Sequence, residues 1–140
     1  MPGLTSRPPA AGIDVLVIDD SELMRRAIVR VLQQAGLSVV ALSDPSEAAR
    51  FVQRRAVRLV LVDLEMPGVR GDRLMTVLRQ QSHSASLRIV LMSGEDAGML
   101  HSIATATGAD ASLPKSEGAS GIRRVVERFL LPRRTTRPPR

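Results

Sequence analysis

The sequence predicts an α/β protein: one doubly wound, five-stranded parallel sheet with helices on both faces. Three observations lead there. Short apolar runs alternate five times with stretches of helical periodicity. The runs are nearly continuous in apolarity, as in strands buried on both faces. Chemically capable residues (Asp19 and Asp20, Asp63, Ser93, Lys115) stand at the ends of four of these runs. In an open parallel sheet ligands gather beyond the carboxyl ends of the strands, so these residues are expected to meet at one spot.

Ile13–Ile18, short and β-branched, is the first strand. Ser21 caps the next helix, in which Leu23, Ala27, Ile28, Val31 and Leu32 form a stripe, and Gly36 ends it. Val39–Leu42 is the second strand. Asp44 and Pro45 open a second helix as cap and first helical residue. Arg58–Asp63 is the third strand, and a long turn, Glu65–Arg70, leads to a helix carrying Leu74, Val77 and Leu78. Ile89–Ser93 is the fourth strand. The helix over 96–106 has Met99, Leu100 and Ile103 as its main large apolar groups, which predicts weak packing and readiness to shift. Ala109–Leu113 is the fifth strand. Gly118–Leu131 is the last helix, burying Val125, Val126, Phe129 and Leu130 before Pro132 stops it.

With 140 residues the chain is read as one domain, 13–131, between a disordered N-terminal tail, 1–12, and a basic Pro/Arg-rich tail, 132–140. The last tail is too short for an output module, so a stand-alone domain is expected. The absence of cysteine excludes disulfides and thiolate chemistry. No apolar run is long enough to span a membrane and no signal-peptide pattern begins the chain, so a soluble cytoplasmic protein is expected. The formal charge is +6, but Arg7, Arg133, Arg134, Arg137 and Arg140 in the tails supply most of it, leaving a body near neutrality. Phe51 and Phe129 are the only aromatic residues. Both facts argue against nucleic acid as a partner; binding through the arginine tails would collapse steeply with salt.

Each polar residue also has a plainer reading. An Asp after a strand often caps a helix, and a lone Ser or Lys is usually a surface residue. Five such groups at four strand ends favour chemistry. Three carboxylates, a hydroxyl and an ammonium suit a divalent cation and a phosphoryl group.

At these residues the chain resembles the receiver domain of bacterial response regulators, the CheY-like variant of the flavodoxin-like fold. The matching pieces are Val-Ile-Asp-Asp-Ser at 17–21, Asp-Leu-Glu-Met-Pro-Gly-Val-Arg-Gly at 63–71, Met-Ser-Gly at 92–94 and Gly-Ala-Asp-Ala-Ser-Leu-Pro-Lys at 108–115. The stretch 20–26 leans towards the chemotaxis branch. The resemblance implies that Asp63 accepts a phosphoryl group from a histidine kinase or histidine phosphotransfer protein. It implies Mg²⁺ held by Asp19, Asp20, Asp63 and the main-chain carbonyl of Glu65. Ser93 and Lys115 would hold phosphoryl oxygens, and a downstream protein would read the face of the last two helices and fifth strand. Such a domain phosphorylates and dephosphorylates only itself and is no dedicated catalyst.

Two positions depart from the family. Its switch aromatic on the fifth strand is Ser112 here, so output is expected from the loop after Ser93 and the helix over 96–106. Ser116 replaces the usual proline after the lysine, leaving open a trans bond with an altered loop or a strained cis bond. Glu65 and Glu95 occupy the variable positions beside the phosphoryl site, able to steer water or repel phosphate. His83 and His101 read as surface residues, and Met24, Met66, Met75, Met92 and Met99 as packing. Two rivals remain: an interaction module that signals without phosphate, motivated by Ser112, and an Asp-nucleophile phosphatase. The latter lacks a general acid unless Glu65 serves, and lacks a cap over substrate.

Overall fold

The computed structural model describes residues 12–66, 71–82, 86–94 and 96–131. Both tails with their arginines, and His83 and Glu95, lie outside the described residues, as does most of the turn expected over 65–70. The strands are β1 (Ile13–Ile18), β2 (Val39–Leu42), β3 (Val57–Asp63), β4 (Arg88–Ser93) and β5 (Ala111–Pro114). The helices are α1 (Glu22–Gln34), α2 (Pro45–Arg54), α3 (Gly71–Gln81), α4 (Ala97–Thr107) and α5 (Gly118–Phe129), with a 3₁₀ turn at Lys115–Glu117. All strand pairs are parallel, in the order β2-β1-β3-β4-β5. The expected doubly wound sheet is therefore present, and its order reverses at β1 and β3.

The continuous apolar runs follow from burial on both faces. Leu16, Ile18, Val60, Val62, Ile89 and Leu91 pack with Ala48 and Val52 of α2, Leu74, Met75 and Leu78 of α3, and Leu100 and Ala104 of α4. Val15, Val17, Leu59, Leu61, Val90, Met92 and Leu113 pack on the other face with α1 and α5. The two-residue strand period sends alternate side chains to opposite layers. The edge strands are shorter and only partly covered, as β2 shows along its whole length.

Helix starts follow local chemistry. The Ser21 hydroxyl accepts the Met24 amide at 3.2 Å, and the Asp44 carboxylate accepts the Ser46 amide at 2.9 Å. Asp96 caps α4 by accepting from Gly98 and Met99. Gly36 and Gly108 follow α1 and α4 with φ of 82° and 81°, conformations costly for any side chain. Gly121 serves a different need: a Cβ there would lie 2.7 Å from Leu113 Cδ1, so its absence lets α5 close on β5.

Several expectations need correction. On α1, Leu23 and Ala27 point outward, and Ile28 and Leu32 form the buried face with Met24 and Val31 beside them. Periodicity located the helix but rotated its stripe. Phe129 is half-buried, with the guanidiniums of Arg88 and Arg128 at 5.9 and 4.8 Å from its ring, and Ile122 takes a core position in α5. Met66, Met75 and Met92 are core residues, whereas Met99 is 53% exposed. The expected weakness of α4 has a physical basis: Leu100 is its single large buried side chain. The hydroxyls of Ser102, Thr105 and Thr107 donate back to carbonyls of the same helix, a habit that loosens or bends helices. The Lys115–Ser116 peptide bond is trans.

The fifth strand begins later than expected: Asp110, just before it, donates its backbone amide to the Ile89 carbonyl but receives the Ile89 amide on its side chain instead of its carbonyl. Its carboxylate accepts from the Ile89 amide at 2.8 Å, Arg79 at 3.1 Å and Arg88 at 3.3 Å, tying α3, β4 and β5 together. Burial works against the charge, but the Ile89 amide and the two arginines outweigh it and hold the Asp110 pKa below the ordinary carboxylate value. A lowered folded pKa contributes stability that is fully present above the unfolded pKa, about 3.9, and is lost as pH falls through the folded value. Asp110→Ala is expected to cost about 1.5–3 kcal/mol at neutral pH. In urea unfolding, the deficit relative to the unsubstituted protein should shrink below about pH 4. An equal deficit at pH 7 and pH 3 would contradict this account.

Candidate functional site

The site is assembled by strand ends. Asp19 follows β1 and is fully buried; its Oδ1 accepts the Ser21 amide at 2.9 Å, so the residue that turns the chain into α1 also aims the carboxylate. Asp20, next to it, is exposed. Asp63 closes β3, is 2% exposed, and accepts the Glu65 amide on Oδ1 at 2.9 Å. Asp63 pairs in register with Met92, which puts Ser93, also buried, at the end of the adjacent strand. Ser93 in turn pairs with Pro114, which brings Lys115 to the same end of the sheet.

The distances join these residues. Lys115 Nζ lies 3.2 Å from Asp19 Oδ2 and 3.2 Å from Asp63 Oδ1. One carboxylate oxygen from each of Asp19, Asp20 and Asp63 lies within 4.8 Å of the others. Asp19 Oδ2 is buried and, among the described residues, meets Lys115 as an ion pair but has no hydrogen-bond partner. Three carboxylates against one ammonium leave an excess of negative charge, and this under-satisfied buried oxygen is where a cation would be most useful. Divalent ions that prefer oxygen ligands, Mg²⁺ among them, fit that donor set.

The electrostatics agree with the geometry. Burial raises the Asp63 pKa; the Glu65 amide opposes it, the Asp19 charge adds to it, and Lys115 opposes it again. The balance lies above the ordinary value, so the ionised Asp63 is held at a cost in the absence of further positive charge. For Lys115, burial pulls the ammonium down, but the adjoining carboxylates of Asp19 and Asp63 prevail and raise it. It stays protonated at neutral pH.

Not every expected residue converges. Glu65 contributes its amide to Asp63, while its side chain turns to β4, where Oε1 accepts the Gly94 amide at 3.0 Å. Ser112 sits half-buried on β5 opposite Leu91, two residues before Pro114, and takes no part in the acid cluster. His101 is exposed, as expected. Arg25 was not singled out in the sequence, yet its Nη1 donates to the Asp19 carbonyl at 2.8 Å and braces the β1–α1 turn. Nothing in the sequence separates it from Arg26, which makes an exposed pair with Glu22 one turn back.

Comparison with known proteins bears directly on this arrangement. The family model of the response regulator receiver domain matches residues 15–127. The chain is 31% identical over 136 residues to the C4-dicarboxylate transport transcriptional regulatory protein DctD of Pseudomonas aeruginosa, covering 93% of this chain and 29% of DctD. It is 27% identical over 85 residues to protein PilG of the same species, covering 61% of this chain and 63% of PilG. In both cases it spans less than two thirds of the relative's length. The solved chemotaxis protein CheY4 of Vibrio cholerae is similar with a TM-score of 0.76 and 27% identity, over 86% of this chain and 100% of that one. With the family match running from β1 into α5 and the acids, hydroxyl and ammonium gathered at four strand ends, the chain belongs to the receiver domains of two-component response regulators.

Proposed function

We propose that this domain accepts a phosphoryl group on Asp63 from a histidine kinase or histidine phosphotransfer protein and signals by a change of conformation. The observation that carries this reading is the bridging of Asp19 and Asp63 by Lys115 at 3.2 Å, inside a trio of acids. An Asp63 carboxylate oxygen donates a lone pair to phosphorus. The phosphorus–nitrogen bond of the donor breaks, and its electron pair stays on the imidazole. Lys115, as a mobile ammonium, follows charge from the carboxylates to a phosphoryl oxygen, a role a planar guanidinium fills less well. The Ser93 hydroxyl donates to another. Asp19, Asp20 and Asp63 would hold Mg²⁺, with the Glu65 carbonyl a further ligand by family analogy; when bound, the ion supplies positive charge to the phosphoryl oxygens. Hydrolysis reverses the modification: water attacks phosphorus, the bond to Asp63 breaks, and inorganic phosphate leaves. The domain thus acts on itself and is not a dedicated catalyst.

The downstream partner would read the face formed by α4, β5 and α5. None of the described helices is long and apolar enough to cross a membrane, in keeping with a domain that meets its partners in water. A second reading, an interaction module indifferent to phosphate, draws on Ser112: its small side chain cannot swing bulk into a cavity.

Incubation with acetyl phosphate and Mg²⁺ should add one phosphoryl group by intact mass, and Asp63→Asn should abolish it. Label that persists in the variant would sink the assignment. Failure of both acetyl phosphate and beryllofluoride to react with the unsubstituted protein would favour the phosphate-independent module.

The metal is tested by stability. Mg²⁺ at about a hundredfold above its dissociation constant should stabilise the fold by about 2.7 kcal/mol, and Asp20→Ala should remove most of that gain. Without metal, Asp63→Asn should raise the melting temperature at pH 7, because a neutral amide accepts the Glu65 bond without the buried charge. The sign follows from the raised folded pKa of Asp63: its ionised form subtracts stability at neutral pH, and the penalty fades as pH falls through that value. A melting temperature insensitive to Mg²⁺ and lowered by Asp63→Asn would contradict both expectations.

The route of the signal can be read by hydrogen exchange with and without beryllofluoride. Protection should rise across 93–99 and change little at Ala111–Leu113, since α4 is the more loosely held element. A larger response in β5 would refute an output carried by α4.

A further inference from the structure

The Glu65 side chain occupies a position that the acceptor reading leaves without a role. Its backbone amide is bonded to Asp63 Oδ1 and its carboxylate to the Gly94 amide, so this one residue spans the crevice between the ends of β3 and β4. The same crevice must admit the phosphoryl group, because Asp63 stands on one side and Ser93 on the other. Glu65 Oε1 lies close over Gly94, about where a Cβ would touch it at 3.5 Å. Gly94 in turn leads, within three residues, to α4, the helix held by one large buried side chain.

We propose that the Glu65 carboxylate is an internal latch, a resident anion on the Gly94 amide that an incoming phosphoryl group evicts. This rests on the acceptor reading and adds its regulation. A phosphoryl group on Asp63 carries close to two negative charges and several strong acceptor oxygens. It cannot share the crevice with a carboxylate at low cost, and it is the better partner for an amide beside Ser93. Eviction hands the Gly94 amide from Glu65 to the phosphoryl group, which draws the β4–α4 loop into a new position and lets α4 move with it. It supplies a switch that needs no aromatic residue on β5, which explains how Ser112 is compatible with signalling. Because the Glu65–Gly94 bond is exposed, the latch is a modest bias rather than a block, worth about three- to tenfold in rate.

Two variants separate a latch from simple repulsion. Glu65→Gln keeps an oxygen acceptor for Gly94 and removes the charge; Glu65→Ala removes both. Both leave the backbone carbonyl and amide of residue 65 in place. In the absence of ligand, the Gly94 amide, followed by NMR hydrogen exchange, should lose protection in Glu65→Ala and keep it in Glu65→Gln. Labelling by acetyl phosphate at fixed Mg²⁺ should be about three- to tenfold faster in Glu65→Ala than in the unsubstituted protein, with Glu65→Gln between them. Equal rates for the two variants would reduce Glu65 to a source of repulsion and overturn the latch. So would unchanged Gly94 protection in Glu65→Ala. In either case normal labelling of the unsubstituted protein leaves the acceptor reading standing, whereas failure of all three proteins to react with either acetyl phosphate or beryllofluoride overturns that reading and the latch with it.

Discussion

Two buried carboxylates at the ends of neighbouring strands share one ammonium, and much of the molecule is arranged around that shortage of positive charge. Asp19 and Asp63 are both almost inaccessible to water, and Lys115 meets each at 3.2 Å. Buried like charges repel strongly where water cannot screen them, and one cation only partly offsets the cost of their dehydration. The cluster is stable enough to fold because the Ser21 and Glu65 amides bond the two carboxylates from the turns that follow their strands. It remains deficient enough to attract further charge. On the proposed function, the chemistry draws on that deficiency.

Holding that cluster requires β1, β3 and β5 to keep their register, and the opposite end of the sheet does much of this. Arg58 donates to Asp14 of β1 and to the Leu130 carbonyl beyond α5. Asp110, through Arg79, Arg88 and Ile89, fixes where β5 starts relative to β4. A one-residue slip of β5 would carry Lys115 away from both acids and invert the faces of Ala111–Leu113. The ion-pair networks at the amino ends of the strands therefore position the chemistry at their carboxyl ends, although they stand outside the acid cluster.

What the sequence made legible is what depends on burial alone. Runs such as Leu59–Val62 announce strands buried on both faces, and acids at their ends announce the crevice where they meet. Residues that answer to two demands at once were harder to read. Asp110 could pass for the start of β5 until its side chain is seen bonding the Ile89 amide. Phe129 has the spacing of a core residue and packs partly against the core, yet its ring also meets two guanidiniums, an attraction that hydrophobic periodicity does not register. Leu23 falls near the apolar stripe of α1 but faces water. The Glu65–Gly94 bond joins residues just beyond the ends of two different strands, and no local pattern encodes it.

The absence of an aromatic switch changes where a signal can be stored. A ring moving between exposed and buried positions draws on apolar burial, about 25 cal/mol for each Å² covered. Ser112 offers almost none of that. A two-state equilibrium still responds to whatever free energy distinguishes its states for the ligand, and here the available difference is electrostatic. The unmodified site has excess negative charge, a buried oxygen of Asp19 with no hydrogen-bond partner among the described residues, and a Glu65 carboxylate on the amide just beyond the next strand. A metal ion and a phosphoryl group would change all three together. The receiving element need not be large. It must be loosely held and directly connected, and α4, joined through Gly94 to Ser93 and anchored chiefly by Leu100, meets both conditions. Small differences in charge can move such a helix, whereas a tightly packed one would absorb them.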